Sequence, residues 1–138
     1  MDELGFDELY ENFDADAKQA AHDSVYEVLS EHAKKLENEL KNTTPVKTGK
    51  LKGSIVNVVV ENSETKVVIR VKFDGYNRYG KAYQVIANSL NKGFFRADGS
   101  FENRHAHFID IAVSKCLTGM DAEIVSLFEI KLGGTNRG

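Results

Sequence analysis

The stretch TPVKTGKLKGSI, residues 44–55, lies between two segments with different hydrophobic periods and decides the fold. Pro45 pushes the residue before it out of the helical region, so a helix that reaches this point is expected to end. Gly49 readily adopts the positive φ of a tight reversal, and the hydroxyl of Thr48 is suited to brace that turn. The apolar residues that follow return the chain to the core. The stretch is therefore predicted to connect a helix to a β-hairpin.

The segment before this stretch has the spacing of an amphipathic helix. Its apolar residues recur at steps of three and four, which places them on one face of a helix of about six or seven turns. They are Ala17, Ala21, Val25, Val28, Leu29, Ala33, Leu36 and Leu40. Asp16 is predicted to be the N-cap, with Gln19 as its capping-box partner. Residues 1–15 are predicted to form an acidic N-terminal arm.

The segment after the stretch has the pattern of a two-stranded hairpin. Residues 54–61 are rich in β-branched side chains, and residues 65–73 alternate between apolar and basic positions after a short turn. The apolar face consists of Val67, Ile69, Val71 and Phe73, and the opposite face carries Lys66, Arg70 and Lys72. Because two strands alone are marginally stable, the long helix is expected to cover the apolar face.

The remaining residues have a weaker pattern. Residues 78–90 suit a helix better than a strand, and residues 91–104 are predicted to form an extended loop. A helical pattern returns at His107, and Gly119 is expected to divide it into two helices. Residues 133–138 are predicted to be a disordered tail. The fold class is therefore α+β, with a long N-terminal helix packed on an antiparallel sheet and helical segments at the C-terminus.

Length and composition indicate a single globular domain, predicted to span residues 1–132. The chain has 138 residues, of which 41% are hydrophobic and 28% charged. No apolar run approaches the roughly 20 residues that cross a bilayer, and the acidic start does not resemble a secretory signal. Cys116 is the one cysteine, so no internal disulfide forms, and we expect a small core residue in a reducing cytoplasm.

Charge is distributed unevenly along the chain. Residues 1–40 have a net charge of −9, residues 41–96 of +8 and residues 97–138 of −2. A subunit with an acidic front and a basic middle is able to pair head to tail with copies of itself. The basic middle is alternatively a surface for nucleic acid, or both regions are simply solvated.

The nucleic-acid alternative depends on cations and tyrosines in and around the hairpin. Basic strands with adjacent aromatic rings are able to hold single strands. The cations are Lys41, Lys47, Lys50, Lys52, Lys66, Arg70, Lys72, Arg78 and Lys81, and the aromatic residues are Tyr76, Tyr79 and Tyr83. A nucleic-acid-binding module built on residues 47–81 is therefore retained as an alternative function, although a pI of about 5.8 opposes it.

The sequence predicts no catalytic, cofactor-binding or metal-ligating residue, and hence no enzyme. His105 and His107 are the one close histidine pair, and no carboxylate at a familiar spacing accompanies them. A small metal-dependent hydrolase that uses this pair is the weakest alternative. Cys116 has apolar neighbours that do not activate a thiol. His22 and His32 are predicted to be solvated positions on the first helix.

The connecting stretch resembles a signature of siphophage head–tail joining or tail-completion proteins, also called minor tail components. In that family a long helix, a Pro-x-x-Thr-Gly-x-Leu motif and a β-hairpin follow one another. The matching positions are Pro45, Val46, Thr48, Gly49, Leu51, Ser54 and Ile55. Residues 104–112 look like a degenerate second motif, in which His107 and Ala112 keep their places and Ala106 replaces the usual proline.

The resemblance implies a structural virion protein without cofactors. It implies a ring, hexameric in the family, that lies at the head–tail junction or the tail end and joins the tail to the head. The expected partners are other copies of the chain, head connector proteins, tail tube proteins and DNA in the ring lumen, with no membrane. The expected location is the virion, after assembly in the host cytoplasm.

Two groups of residues are candidates for the interface between subunits. The basic strand face supplies the first group, and the aromatic residues of the predicted loop supply the second, because exposed rings in a polar loop indicate a contact surface. The candidates are Lys66, Arg70, Lys72, Phe94, Phe95 and Phe101.

Overall fold

The computed structural model describes residues 14–45, 49–102 and 106–136, without the side chains of residues 94, 95, 102 and 133–136. The described part is an α+β fold, as the sequence predicts. Its helices are α1 (Ala15–Thr43), α2 (Lys50–Gly53), α3 (Tyr83–Lys92), α4 (Phe108–Leu117) and α5 (Met120–Asn136). Its strands are β1 (Ile55–Asn62), β2 (Val67–Phe73), β3 (Phe94–Phe95) and β4 (Phe101–Glu102).

The N-cap of helix α1 lies two residues earlier in the chain than the predicted cap. Asp14 has extended backbone and is the N-cap, and its carboxylate accepts a hydrogen bond of 2.8 Å from the amide of Ala17. The prediction of Asp16 as the cap is therefore wrong, because Asp16 lies within the first turn. The other end agrees with the prediction: the amide of Thr44 donates to the carbonyl of Leu40, and the helix ends before Pro45.

Strands β1 and β2 form the predicted antiparallel hairpin. Residues that lie opposite each other share a face, so Ile55 with Phe73 and Asn57 with Val71 define the inner face. The Asn57 side-chain amide donates to the Glu37 carboxylate of α1 at 3.5 Å. Helix α1 thus covers the inner face, as expected for a hairpin that is too small to be stable alone.

The hydrophobic core lies at the open end of the hairpin and joins five elements. Its buried residues are Leu40, Ile55, Phe73, Ala87, Phe108 and Ala112. The rings of Phe73 and Phe108 meet edge to face with centroids 6.4 Å apart. Gln84 of α3 accepts a hydrogen bond of 2.9 Å from the amide of Phe73, which fixes α3 against the end of β2.

Helices α4 and α5 pack along α1 and are separated by Gly119, whose φ is +85°. Two ion pairs join these helices to α1: Lys115 Nζ of α4 lies 3.2 Å from Glu39 Oε1, and Lys131 Nζ of α5 lies 3.4 Å from Glu27 Oε2. The division at Gly119 confirms the predicted break. Helix α5 continues to Asn136, into the segment 133–138 that the sequence predicts to be disordered.

Residues 91–102, the described part of the predicted loop 91–104, are more regular than an extended loop. Strands β3 and β4 pair in antiparallel register, with Phe95 opposite Phe101. The turn between them is closed by hydrogen bonds from Arg96 to the carbonyl of Ser100 and from Gly99 to the carbonyl of Arg96. A second, very short hairpin therefore stands where the sequence predicts a loop.

Candidate assembly interface

The Pro-x-x-Thr-Gly-x-Leu motif connects α1 to the hairpin through a left-handed turn. Gly49 has φ +78° and precedes α2, the single helical turn that leads into β1. The Ser54 hydroxyl donates to the carbonyl of Leu51 at 2.6 Å, and Ile55 enters the core. Pro45 is half-buried, whereas Val46 and Thr48 lie outside the described residues.

Replacement of Gly49 by alanine is expected to destabilise the fold by about 1–2 kcal/mol, because an L-residue is strained at positive φ. Open space surrounds the added Cβ, so the effect comes from the backbone alone. Gly53 is a matched control: it too has open space, its φ lies outside the positive range, and it is helical. Gly53→Ala is expected to be neutral or slightly stabilising in urea unfolding. Equal losses in both variants would contradict the backbone explanation.

The outer hairpin face is the side of the sheet opposite α1, and it consists of Val56, Val58, Arg70 and Lys72. The register places Val56 opposite Lys72 and Val58 opposite Arg70. Val58 keeps 40% of its surface exposed, and Arg70 is also exposed. A face that combines aliphatic side chains with cations is suited to an acidic partner that also has apolar positions.

The three predicted interface cations are not equivalent. Lys66 lies in the turn before β2 and approaches the Glu61 carboxylate at 3.5 Å. Lys72 lies 3.6 Å from Asp74. Arg70 is exposed and has no ion-pair partner among residues 14–45, 49–102 and 106–136. The prediction that all three occupy one strand face is therefore correct for Arg70 and Lys72 only.

Both edges of the main sheet are unpaired within the described part of the chain. Strands β1 and β2, of eight and seven residues, pair only with each other there. A register shift between Val59 and Glu61 marks a bulge in β1, and Val60 at that bulge is half-exposed. Open strand edges offer backbone hydrogen bonds to another chain, and a bulge limits how far such pairing extends.

The aromatic part of the predicted interface lies on the short β3–β4 hairpin. Phe101 is 49% exposed, while the side chains of Phe94 and Phe95 lie outside the described part. Asp98 accepts hydrogen bonds from both the amide and the hydroxyl of Ser100, which hold the pKa of its carboxyl below the usual range. The turn that presents Phe101 is therefore well defined.

Sequence reasoning missed His32, which is 3% exposed. Its Nδ1 donates to the carbonyl oxygen of Cys116, and its Nε2 donates to a carboxylate oxygen of Glu123 at 2.6 Å. Both ring nitrogens face acceptors, an arrangement that only the doubly protonated imidazolium satisfies fully. These two hydrogen bonds raise the pKa of His32 despite its burial, and the bond from His32 lowers the pKa of Glu123. The prediction of a solvated position is wrong, because α5 covers this part of α1.

The other chemically reactive candidates take structural positions. His107 is exposed, precedes α4 and lies 3.2 Å from Asp110, whereas His105 lies outside the described residues. Within the described ranges, no group of three His, Cys, Asp or Glu side chains is arranged to hold a metal ion. Burial raises the pKa of the Cys116 thiol, in agreement with the predicted core position.

Comparison with known families gives a match over most of the chain. The family described as "Bacteriophage HK97-gp10, putative tail-component" matches residues 7–109, which is most of the chain. The chain belongs to this family. Comparison with curated proteins and with solved structures gives no match. The match includes the connecting motif and the hairpin and ends at the start of α4.

As a member of the HK97-gp10-like family, the protein is a bacteriophage tail component with a structural role in the virion. Membership indicates a non-enzymatic role and contacts with other virion proteins. None of the described helices combines the length and the apolar character needed to cross a membrane. The outer hairpin face and the open strand edges lie inside the matched region, so they are candidates for those contacts.

Proposed function

We propose that this tail component forms a closed ring of identical subunits that joins the tail to the head. The observation that carries the proposal is the outer hairpin face, where exposed valine lies beside Arg70 and Lys72 on a sheet with two open edges. On an isolated monomer, open strand edges and exposed aliphatic residues favour aggregation. Such a surface is therefore expected to be covered by another chain. A ring covers the same surface on every subunit.

The acidic counterpart of the basic face lies in residues 1–40, whose net charge is −9. Asp16 and Glu31 are exposed on α1, while residues 1–13 lie outside the described part. A basic patch that meets an acidic patch is not self-complementary, so each contact joins two different surfaces. Contacts of this head-to-tail kind close into a ring when the rotation between neighbours permits it. The resemblance in sequence gives six as the expected number of subunits.

The expected partners of the ring are the head connector and the tail tube, as the sequence resemblance implies. The β3–β4 hairpin is suited to such a contact, since Phe101 is exposed on a defined turn. Aromatic side chains at the centre of an interface contribute strongly to affinity. We therefore place the docking contact on the aromatic hairpin and the subunit contact on the outer hairpin face.

The test is reversal of the hairpin charges by Lys66→Glu, Arg70→Glu and Lys72→Glu together. Circular dichroism of this variant is expected to show a folded protein. Light scattering and negative-stain images are expected to show monomers and no rings. The control Lys34→Glu with Lys35→Glu changes exposed charges on α1 and is expected to leave ring formation intact. Rings that persist in the triple variant, at the wild-type protein concentration, contradict the proposed contact.

Charge reversal on the acidic side tests whether the two surfaces meet. Asp7→Lys, Glu11→Lys and Asp16→Lys together are expected to abolish assembly alone and to restore it when combined with the hairpin reversal, because the opposite charges are regained. Failure of the combined variant to assemble, with both single-surface variants defective and folded, contradicts the pairing of these two surfaces. Absence of rings in the wild-type protein with purified connectors and tail tubes would contradict the ring itself.

A further inference from the structure

The connection between β2 and α3, residues 74–82, presents two tyrosines to solvent. Tyr76 is 71% exposed and Tyr79 is 78% exposed. Tyrosine rings usually bury most of their surface, so two strongly exposed rings in one short segment are unusual. We call residues 74–82 the tyrosine loop. Tyr83, which the sequence groups with these residues, instead packs against the core from α3.

The tyrosine loop has a fixed backbone. The Asn77 side-chain oxygen accepts hydrogen bonds of 2.9 Å from the amides of both Tyr79 and Lys81. The backbone amide of Asn77 donates to the backbone carbonyl of Lys81, and Tyr76 pairs with Ala82 in an isolated β-bridge. The rings are therefore presented from an ordered platform, which reduces the entropy lost when a flat ligand stacks on them.

Cations surround the two rings. The Arg78 guanidinium lies over the Tyr79 ring, 4.8 Å from its centroid, and Lys81 is exposed. The amide of Asp74 donates to the carbonyl of Ser54 at 2.8 Å, so the lysine-rich turn α2 ends beside the loop. Asp74 is the one acidic residue between residues 65 and 97, and its carboxylate faces Lys72. The segment that carries the rings, from residue 65 to residue 97, consequently has an excess of positive charge.

We propose that the tyrosine loop binds single-stranded nucleic acid, with bases stacked on Tyr76 and Tyr79 and phosphates held by Arg78 and Lys81. Stacking on aromatic rings next to cations is how proteins bind single strands without sequence preference. A duplex keeps its base faces covered, so it makes only the phosphate contacts. A single strand matches both features of the loop, because each of its nucleotides carries a phosphate charge and an open base face. This function is independent of ring formation.

The stacking contribution is tested by fluorescence anisotropy with a labelled oligothymidylate of about 16 nucleotides, the upper end of known site sizes per module. Tyr76→Leu with Tyr79→Leu is expected to weaken binding about tenfold or more. Tyr76→Phe with Tyr79→Phe keeps the rings and is expected to bind within about twofold of the wild type, because stacking needs the ring and not the hydroxyl. A matched duplex is expected to bind the wild type and the Leu variant equally.

The phosphate contribution is tested with Arg78→Ala and Lys81→Ala together, compared with Lys34→Ala and Lys35→Ala on α1. Only the first pair is expected to weaken binding and to reduce its dependence on salt concentration. Four results overturn the inference: no binding of the oligothymidylate at low salt, equal loss in the Leu and Phe variants, no loss in either, or capture of a tail or connector protein through the two tyrosines without nucleic-acid binding. The binding assay does not require rings. A failure to bind nucleic acid therefore does not contradict the ring proposal, and a failure to form rings does not contradict this inference.

Discussion

Replacement of Phe73 by alanine is expected to lower the free energy of unfolding by about 3–5 kcal/mol, the usual cost of removing a buried aromatic ring. Phe73 is 4% exposed, ends β2 and meets Phe108 edge to face. Its amide also anchors α3 through Gln84. Loss of the ring leaves a cavity where hairpin, α3 and α4 meet, and a domain of this size is only marginally stable. The measurement is urea unfolding followed by circular dichroism.

Phe101→Ala is the matched control, since it removes the same side chain from a position that is 49% exposed. Its effect on unfolding is expected to stay below about 1 kcal/mol. The same variant also separates folding from docking, because the proposed contact with connector or tail tube should weaken while the subunit stays folded. Similar losses of stability in Phe73→Ala and Phe101→Ala would show that the core is not located where Phe73 and Phe108 meet.

Replacement of His32 by alanine is expected to lower the free energy of unfolding by about 2–4 kcal/mol, because two hydrogen bonds of a charged ring are lost and the carbonyl of Cys116 stays buried without its donor. His22→Ala on the same helix is the control. His22 is partly exposed and bonds Asn62 at 2.7 Å, so its replacement is expected to cost about 1 kcal/mol. Equal losses of unfolding free energy in the two variants would contradict a larger contribution from the two hydrogen bonds of the buried His32 ring.

The contribution of His32 is also expected to depend on pH. Its folded-state pKa lies above the unfolded value of about 6.5, so the stabilisation is complete below that pH and disappears as the pH rises through the folded-state pKa. Glu123 of α5 favours the charged ring and Lys35 of α1 opposes it, while Glu39 and Lys115 line the same groove. The stability difference between the wild type and His32→Ala should therefore shrink on the alkaline side. A difference that stays constant from about pH 6 to 9 would contradict the charged state.

Local patterns in the sequence predicted the elements whose order positions the interface. The spacing of apolar residues predicted α1, and Pro45 predicted its end correctly because proline acts on its immediate neighbour. The alternation in residues 65–73 predicted β2 and its inner face, because it too is a relation between near neighbours: successive side chains of a strand point to opposite faces. The N-cap was wrong because Asp14 and Asp16 both suit a helix start, and the difference depends on which carboxylate reaches a free amide.

The misses have two different causes. The short β3–β4 hairpin had a local signal, since Asp98-Gly99 between aromatic residues is a typical turn sequence. His32 had none, because its burial depends on α5, whose Glu123 is 91 residues away. The exposure of Tyr76 and Tyr79 also required the structure, since the same residue type packs against the core at Tyr83.

The distance in sequence between His32 and its acceptors has a consequence for synthesis on the ribosome. The two bonds join residues 84 and 91 positions apart, so α1 emerges long before the helices that cover it. At about 5–20 residues per second, the covered side of α1 waits roughly 5–20 seconds for α5. During that time its small apolar residues are open to chaperones and to neighbouring nascent chains. Covering of this side of α1, and with it any productive assembly, therefore follows the synthesis of α5.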